Sequence, residues 1–254
     1  IGPASDSPGT LRALIDAGLS VVRLNASHTA REDLIKRLAT VRTVAGQAGK
    51  HIAVMLDLGG PKLRVGVVSH DTLLNHGDRF ELVSGECIGD ARRVCVTYEG
   101  LTTDVPDGAH VLIDDGRIEL MVVGRREDSL LTEVVIGGLL TSHKGVNVPG
   151  VRLAIDAITE KDREDLAWGI EAGVDLIAQS FVRSADDVLR LRELMGERRI
   201  PIIAKIEKHE AVAAMDEIVA AADAVMVARG DLGVETAAEQ VPVVQRHIVA
   251  ACRA

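Results

Sequence analysis

Lys205 and Glu207 alternate with a single isoleucine at the end of the run Ile202-Ile203-Ala204-Lys205-Ile206-Glu207. The run is β-branched, follows Pro201 and gives way to the polar Lys208-His209-Glu210, which predicts a buried strand that stops abruptly. Side chains alternate along a strand, so the ammonium and the carboxylate share one face. Both are costly to bury unless they are paired or used. An internal ion pair is one way to meet that cost. A second apolar run, Ala224-Val225-Met226-Val227-Ala228, leads straight into Arg229-Gly230-Asp231-Leu232-Gly233. It is predicted as a neighbouring strand with Asp231 at its end. Two successive strands with charged ends point to a site at one rim of a parallel sheet. Glu207 and Asp231 would suit a hard divalent cation that keeps some waters and meets a substrate oxygen. Lys205 would add positive charge beside that substrate, and Arg23 and Arg64 add donors shaped for phosphate or carboxylate. Such a set fits phosphoryl transfer or enolate stabilisation. A ring of salt bridges closing the sheet rim is the plainer alternative.

The elements that would position these groups alternate between strand and helix. Ser7-Pro8 with Leu11, Leu14 and Ile15 predicts a helix that stops at Gly18. Val21 to Asn25 reads as a strand, and Arg31 to Ala48 as an amphipathic helix with Leu34, Leu38, Val41 and Val44 on one face. Ile52 to Leu56 is a buried strand ending in Asp57 and a Gly59-Gly60-Pro61 turn. Further on, Thr159-Glu160-Lys161-Asp162 resembles a capping box that opens a helix to Glu171. Asp175 to Ala178 is a strand, Ser184 to Glu197 a helix, Glu210 to Ala222 another, and a last helix starts near Val241. Repeated β-then-α units imply parallel strands joined by right-handed crossovers. The polar strand ends are Arg23, Asn25 and Ser27, then Asp57, Ser180, Lys205 with Glu207, and Asp231. In a barrel of this type they gather at one mouth, where active sites lie.

From Ser69 to Pro149 the period changes to short strands separated by Asp, Gly and Pro turns, with no helical stripe. Asp114-Asp115-Gly116 reads as a hairpin tip. The expectation is an α/β fold, an incomplete TIM-type (β/α)8 barrel with a small all-β insert. The insert takes residues 69–150, and the barrel takes 1–68 and 151–254.

Composition narrows the function. Aromatics make up only 2% of the 254 residues, too few for base-stacking platforms, and the formal net charge of −9 disfavours a nucleic-acid partner. Cys87, Cys95 and Cys252 are odd in number and lack ligand spacing, so neither a disulfide framework nor a zinc site is expected. No apolar stretch is long enough to span a membrane and no signal-peptide pattern is present, so cytoplasm is the default. His51, His70, His76 and His110 show no ligand pattern and read as surface residues, and Trp168 as core. Gly138 to Lys144 fails as a phosphate loop because His143 stands where glycine is required.

Five stretches resemble the pyruvate kinase family. They are Ile1-Gly2-Pro3-Ala4-Ser5, Val22-Arg23-Leu24-Asn25-Ala26-Ser27-His28, Lys144-Gly145-Val146-Asn147-Val148-Pro149-Gly150, Ala204-Lys205-Ile206-Glu207, and Met226 to Glu235 with its Arg229-Gly230-Asp231-Leu232-Gly233 core. Their order and spacing agree over essentially the whole chain, and the insert falls where that family has its lid domain. The resemblance implies transfer of the phosphoryl group of phosphoenolpyruvate to ADP, giving pyruvate and ATP. It implies that Glu207 and Asp231 bind Mg2+ or Mn2+, that Lys205 stabilises the transferring group and developing enolate, and that Arg23 contacts phosphate. Asn25, Ser27 and Asp57 match the monovalent-cation site. Arg64 and Lys144 match groups near the nucleotide phosphates, and Pro3 and His28 match positions near the nucleotide. The family also implies a homotetramer.

Departures from the family pattern bear on these expectations. The resemblance begins after the family's first barrel strand and stops before its seventh and eighth strands and C-terminal domain, so an N-terminal fragment is expected. The threonine linked to enolate protonation, on the seventh strand, has no counterpart here. Leu58 and Lys62 stand where potassium-requiring members carry threonine and glutamate, and Lys62 is expected to replace potassium. A solvated loop lysine is the alternative. Lys208 and Ala211, where asparagine and glycine are common, read as minor changes. A metal-dependent aldolase or lyase of the related phosphoenolpyruvate/pyruvate barrels is a second reading, disfavoured because an aldolase has no nucleotide for Lys144 and a lid to cover. A chain that binds without catalysing is a third.

Overall fold

The computed structural model describes residues 1–27 and 29–253. Ser7 caps α1 (Pro8–Asp16) by accepting from the Thr10 N–H, and Leu11 and Ile15 turn that helix's buried side inward. Next come β1 (Val21–Asn25), α2 (Arg31–Ala48) and β2 (Ala53–Asp57). Gly49 closes α2 in a left-handed conformation at φ 63°, a geometry that costs glycine nothing.

The chain then enters a β-rich stretch. Its strands are β3 (Val67–Val68), β4 (Thr72–Leu74), β5 (Arg79–Ser84), β6 (Ile88–Gly89) and β7 (Arg93–Val96). After the short helix α3 (Leu101–Asp104) come β8 (His110–Ile113), β9 (Ile118–Arg125), β10 (Ser129–Ile136), β11 (Gly138–Leu140) and β12 (Val146–Asn147). Six of them form a sheet in the order β12-β8-β9-β10-β5-β7, while β11 pairs β4 and β3 pairs β6. Alternate residues of this sheet, among them Phe80, Leu82, Val111, Leu120, Val122 and Val134, build a hydrophobic cluster separate from the rest of the core. That cluster draws on residues from Leu63 to Val148. Asp114 and Asp115 take φ of 54° and 57° ahead of Gly116 at 86°, the left-handed tip that Asp and Gly tolerate best. Two expectations need correction. The stretch contains the one-turn helix α3. Cys87 and Cys95 form a disulfide, leaving Cys252 as an exposed free thiol. Spacing alone hid the pair, because the two cysteines face each other only once the β6–β7 reversal at Asp90 to Arg93 is folded.

The strand–helix alternation resumes with α4 (Glu160–Ala172), β13 (Leu176–Gln179), α5 (Ala185–Leu194) and β14 (Ile202–Ile206). It ends with α6 (His209–Ala213), α7 (Met215–Ala221), β15 (Ala224–Val227), α8 (Arg229–Glu235) and α9 (Val241–Ala251). The Thr159/Asp162 capping box is present. The helix expected from Glu210 to Ala222 is interrupted at Ala214, whose φ of −99° and ψ of 20° leave the α region. Five strands form one parallel sheet in the order β1-β2-β13-β14-β15, the barrel segment anticipated from the alternation. Helices and strands bury one continuous core that includes Leu24, Val54, Leu56, Ile177, Ile202, Ile206 and Trp168. His51, His70, His76 and His110 are exposed.

One device recurs at the starting ends of these strands. Asp175, just before β13, accepts from the Val54 N–H at 2.6 Å and from Arg42 of α2 at 2.8 Å. Asp223, just before β15, accepts from the Ile202 N–H at 2.8 Å and from Arg192 of α5 at 2.9 Å. Each aspartate thus ties the neighbouring strand to a preceding helix. The Ile202 N–H first, and Arg192 after it, hold the Asp223 carboxyl below the ordinary aspartate range, against the opposing effect of burial. A depressed carboxyl stabilises the fold above the unfolded aspartate pKa and loses that contribution as pH falls through the folded value. Asp223→Asn is therefore expected to cost about 1 kcal/mol or less at pH 7, given that the side chain is 43% exposed. The difference from the unsubstituted protein should vanish in acid below the folded value. Urea unfolding of both proteins at neutral and at acid pH checks this; an equal gap at both would contradict it.

Candidate active site

Parallel strands deliver their last residues to the same end of a sheet, and here those ends carry charge. Asp57 closes β2, Lys205 lies near the end of β14, and Glu207 follows one residue beyond it. Lys205 and Glu207 share a face as expected, with Lys205 Nζ 2.6 Å from Glu207 Oε1. The same ammonium lies 3.4 Å from Asp57 Oδ1 and donates to Ser180 Oγ at 2.6 Å. Arg23, from β1, donates through Nε to Asp57 Oδ2 at 2.6 Å and adds a second contact through its other guanidinium nitrogen. Glu207 Oε2 accepts from the Phe181 N–H at 3.0 Å. Asn25 Oδ1 accepts from the Ser27 N–H at 2.9 Å, a local turn that holds both residues at the strand end. A cavity of about 210 Å³ is lined by Arg23, Asn25, Ser27, Lys62, Lys205, Glu207 and Asp231 together with Gly59, Ser180 and Phe181.

The electrostatics follow from burial and pairing. Asp57, Lys205 and Glu207 are all under a tenth exposed, whereas the Arg23 side chain is nearly half exposed and reaches the cavity from solvent. Burial acts to lower the Lys205 pKa, but the Glu207 and Asp57 carboxylates outweigh it, so the group is held as an ammonium above its ordinary value. Burial pushes the Glu207 carboxyl up, against the pull of Lys205 and of the Phe181 N–H. Asp57 is neutralised twice over, by Arg23 and by Lys205.

The remaining candidates distribute unevenly. Asp231 lines the cavity but does not sit at a strand end: β15 stops at Val227, and Asp231 falls in the first turn of α8 with its side chain 48% exposed. Glycine and aspartate after Arg229 suit a helix start as well as a strand rim, and the run alone does not separate the two. Lys62 Nζ lies 3.9 Å from Asp231 Oδ1, with the side chain largely covered. Leu58 is buried in the core. Lys144 lies outside the cavity lining and pairs with Asp114 at 2.9 Å, a contact that holds the Asp114 carboxyl below its usual range. Arg64 donates to the His143 carbonyl at 3.0 Å, and Pro3 sits in an exposed turn. His28 lies outside the described residues.

Two features escaped sequence reasoning. Lys208, read as a minor change, is buried and bonds Glu235 Oε1 at 2.6 Å, and Asn147 of β12 donates to the same oxygen at 2.8 Å. Nothing in the spacing of residues 147, 208 and 235 signals that meeting. Phe181 takes φ of 58°, unusual for a bulky side chain, and no residue type in its neighbourhood announces it.

Donor chemistry favours a small hard cation. Among the described residues no three His, Cys, Asp or Glu side chains form a metal cluster, so the chain offers two carboxylates at this cavity. Two carboxylates beside a space of this size fit a cation that completes its shell with water and substrate oxygens.

Comparisons with known proteins give matches that run the length of the chain. A family model described as pyruvate kinase, barrel domain, matches residues 1–254. The chain is 45% identical over 258 residues to a pyruvate kinase of Geobacillus stearothermophilus, an alignment covering 99% of this chain and 44% of that protein. It is 44% identical over 260 residues to one of Bacillus licheniformis, with 100% and 44% covered. It is 42% identical over 256 residues to one of Mycobacterium intracellulare, with 100% and 54% covered. The chain therefore spans about half the length of the curated relatives it matches.

Proposed function

Because the chain belongs to the pyruvate kinase family, we propose that its cavity is the phosphoryl-transfer site of an enzyme that moves the phosphoryl group of phosphoenolpyruvate to ADP, giving pyruvate and ATP. The observation that carries this reading is the convergence of Arg23, Lys205, Glu207 and Asp231 on one cavity at the strand ends. Lys205, kept charged by two buried carboxylates, supplies positive charge where negative charge gathers on the phosphoryl group and the enolate. Arg23 reaches into the cavity from its exposed side and orients the incoming phosphate with its fork of donors. Glu207 and Asp231 would hold Mg2+ or Mn2+. When bound, that ion supplies Lewis-acid charge next to the substrate oxygens.

Asn25, Ser27 and Asp57 form the monovalent-cation corner, which here needs no potassium. Asp57 already carries two fixed cations, and Lys62 brings an ammonium into the same cavity. The β-rich unit, residues 69–150, acts as a lid, and Lys144 and Arg64 meet the nucleotide phosphates when it closes, with Pro3 beside the nucleotide. Lys144 would exchange Asp114 for phosphate on closure. No described helix is long and apolar enough to cross a membrane. The enzyme is proposed to act in the cytoplasm, as a homotetramer. Separate titrations of ADP and phosphoenolpyruvate, with and without Mg2+, followed by coupled detection of pyruvate, test the proposal. Mg2+-dependent binding of phosphoenolpyruvate with ADP-dependent pyruvate release is expected. Binding of phosphoenolpyruvate that ignores Mg2+ would overturn it.

A further inference from the structure

The two residues that follow β13 touch both members of the buried Lys205/Glu207 pair, one by its side chain and the other by its backbone. Ser180 is buried; its Oγ accepts from Lys205 Nζ at 2.6 Å and lies 3.5 Å from Asp57 Oδ1. That hydroxyl holds the ammonium between Glu207 and Asp57. Phe181 aims its N–H at Glu207 Oε2 while its own backbone lies in the left-handed region, at φ 58°. An L-residue with a large side chain adopts that conformation only where its surroundings enforce it.

The surroundings make room for it on one side and pin the turn on the other. Gly60 leaves room for the ring: a side chain there would place Cβ 2.5 Å from Phe181 Cδ2 and 3.2 Å from Ser180 Cβ. On the other side, Asp187 accepts from the Arg183 N–H at 2.8 Å, and the Asp187 carbonyl accepts from Gln179 Nε2 at 2.9 Å. The turn is pinned before and after the strained residue.

We propose that Ser180 and Phe181 are positioning residues of the phosphoryl-transfer site, Ser180 setting the Lys205 ammonium and the left-handed Phe181 backbone setting the orientation of the Glu207 carboxylate. The assignment rests on the function proposed above. It gives the strain at Phe181 a role: with the turn pinned at Gln179 and Arg183, relaxing the backbone would rotate the Ser180–Phe181 peptide, turn the N–H away and free the carboxylate to rotate.

The test uses Mn2+ alone as the probe, titrated into the full-length protein, with steady-state kinetics alongside. Alanine at residue 181 disfavours the left-handed backbone, whereas asparagine tolerates it, and both lack the ring. Phe181→Ala is expected to weaken Mn2+ binding by about tenfold, the usual scale for losing a group that orients a metal ligand, and Phe181→Asn to stay within about threefold of the unsubstituted protein. Ser180→Ala is expected to lower kcat by about tenfold with little change in KM for phosphoenolpyruvate or in Tm. Equal Mn2+ affinity in all three proteins, or equal loss in the alanine and asparagine variants, overturns the role of the Phe181 backbone. An unchanged kcat in Ser180→Ala overturns the role of the hydroxyl. Glu207→Gln separates these failures from failure of the underlying reading. If it leaves Mn2+ binding intact, the metal assignment falls and this proposal with it. If it abolishes binding while the turn variants behave like the unsubstituted protein, only the positioning roles fall.

Discussion

Glu207→Gln is expected to reduce Mg2+-dependent turnover by well over about tenfold while the protein remains folded. The second half of that expectation needs argument, because removing one partner of a buried ion pair commonly costs several kcal/mol. Here the surviving partner is not abandoned. Lys205 keeps Asp57 at 3.4 Å, a carboxylate it shares with Arg23, and the Ser180 hydroxyl at 2.6 Å, so its ammonium retains a counter-charge and a hydrogen bond. Glutamine fills the same volume and still offers an oxygen to the Phe181 N–H. What it cannot offer is the negative charge that a divalent cation requires. Asp231→Asn should act in the same sense with even less effect on folding, since Asp231 is half exposed and its neighbour Lys62 stands 3.9 Å away. Urea unfolding alongside a coupled assay for pyruvate decides the matter. Near-normal turnover with retained Mg2+ affinity in either variant would sink the metal assignment.

Lys62→Glu is expected to create a potassium requirement, and the unsubstituted enzyme is expected to show none. In a potassium-free buffer with a bulky organic cation the unsubstituted enzyme should run at nearly full rate. Lys62 lines the cavity shared by Asn25 and Ser27, so the protein itself brings a positive charge to that space. Glutamate would reverse that charge beside Asp231, and a rate loss of about tenfold or more without added cation is expected from the misplaced charge. Potassium should restore much of that loss. Leu58 is buried in the core, so Leu58→Thr, which reintroduces a hydroxyl, serves as the companion change if the single substitution binds the cation poorly. Strong potassium activation of the unsubstituted enzyme, at saturating substrates and Mg2+, would rule the idea out.

The parts of this site that were legible in the sequence are those governed by local rules. Alternation along a strand placed Lys205 and Glu207 on one face, and the structure pairs them at 2.6 Å. The change from a helical to a two-residue period located the β-rich stretch, and Asp114-Asp115-Gly116 marked its hairpin. Non-local meetings were not legible. Asn147, Lys208 and Glu235 come together from three separate elements, and Cys87 meets Cys95 only across a folded reversal. Asp231 was misplaced because a glycine followed by an aspartate reads equally as the rim of a strand and the first turn of a helix. The left-handed Phe181 was not legible because the space its ring occupies is left by Gly60, more than a hundred residues away in the chain.

The aspartate braces at Asp175 and Asp223 have a bearing on how experiments on this protein are interpreted. Both sit where strands begin, a strand's length from Lys205, Glu207 and the cavity. Alignment between adjacent strands is therefore anchored at the end that performs no chemistry. A substitution among the cavity residues that lowers activity leaves those anchors untouched, so lost rate can be assigned to the reacting groups. A substitution at an anchor that lowers activity would do so by letting two strands slide, displacing several cavity groups at once. The two kinds of defect can be told apart by whether one ligand or all of them bind less tightly.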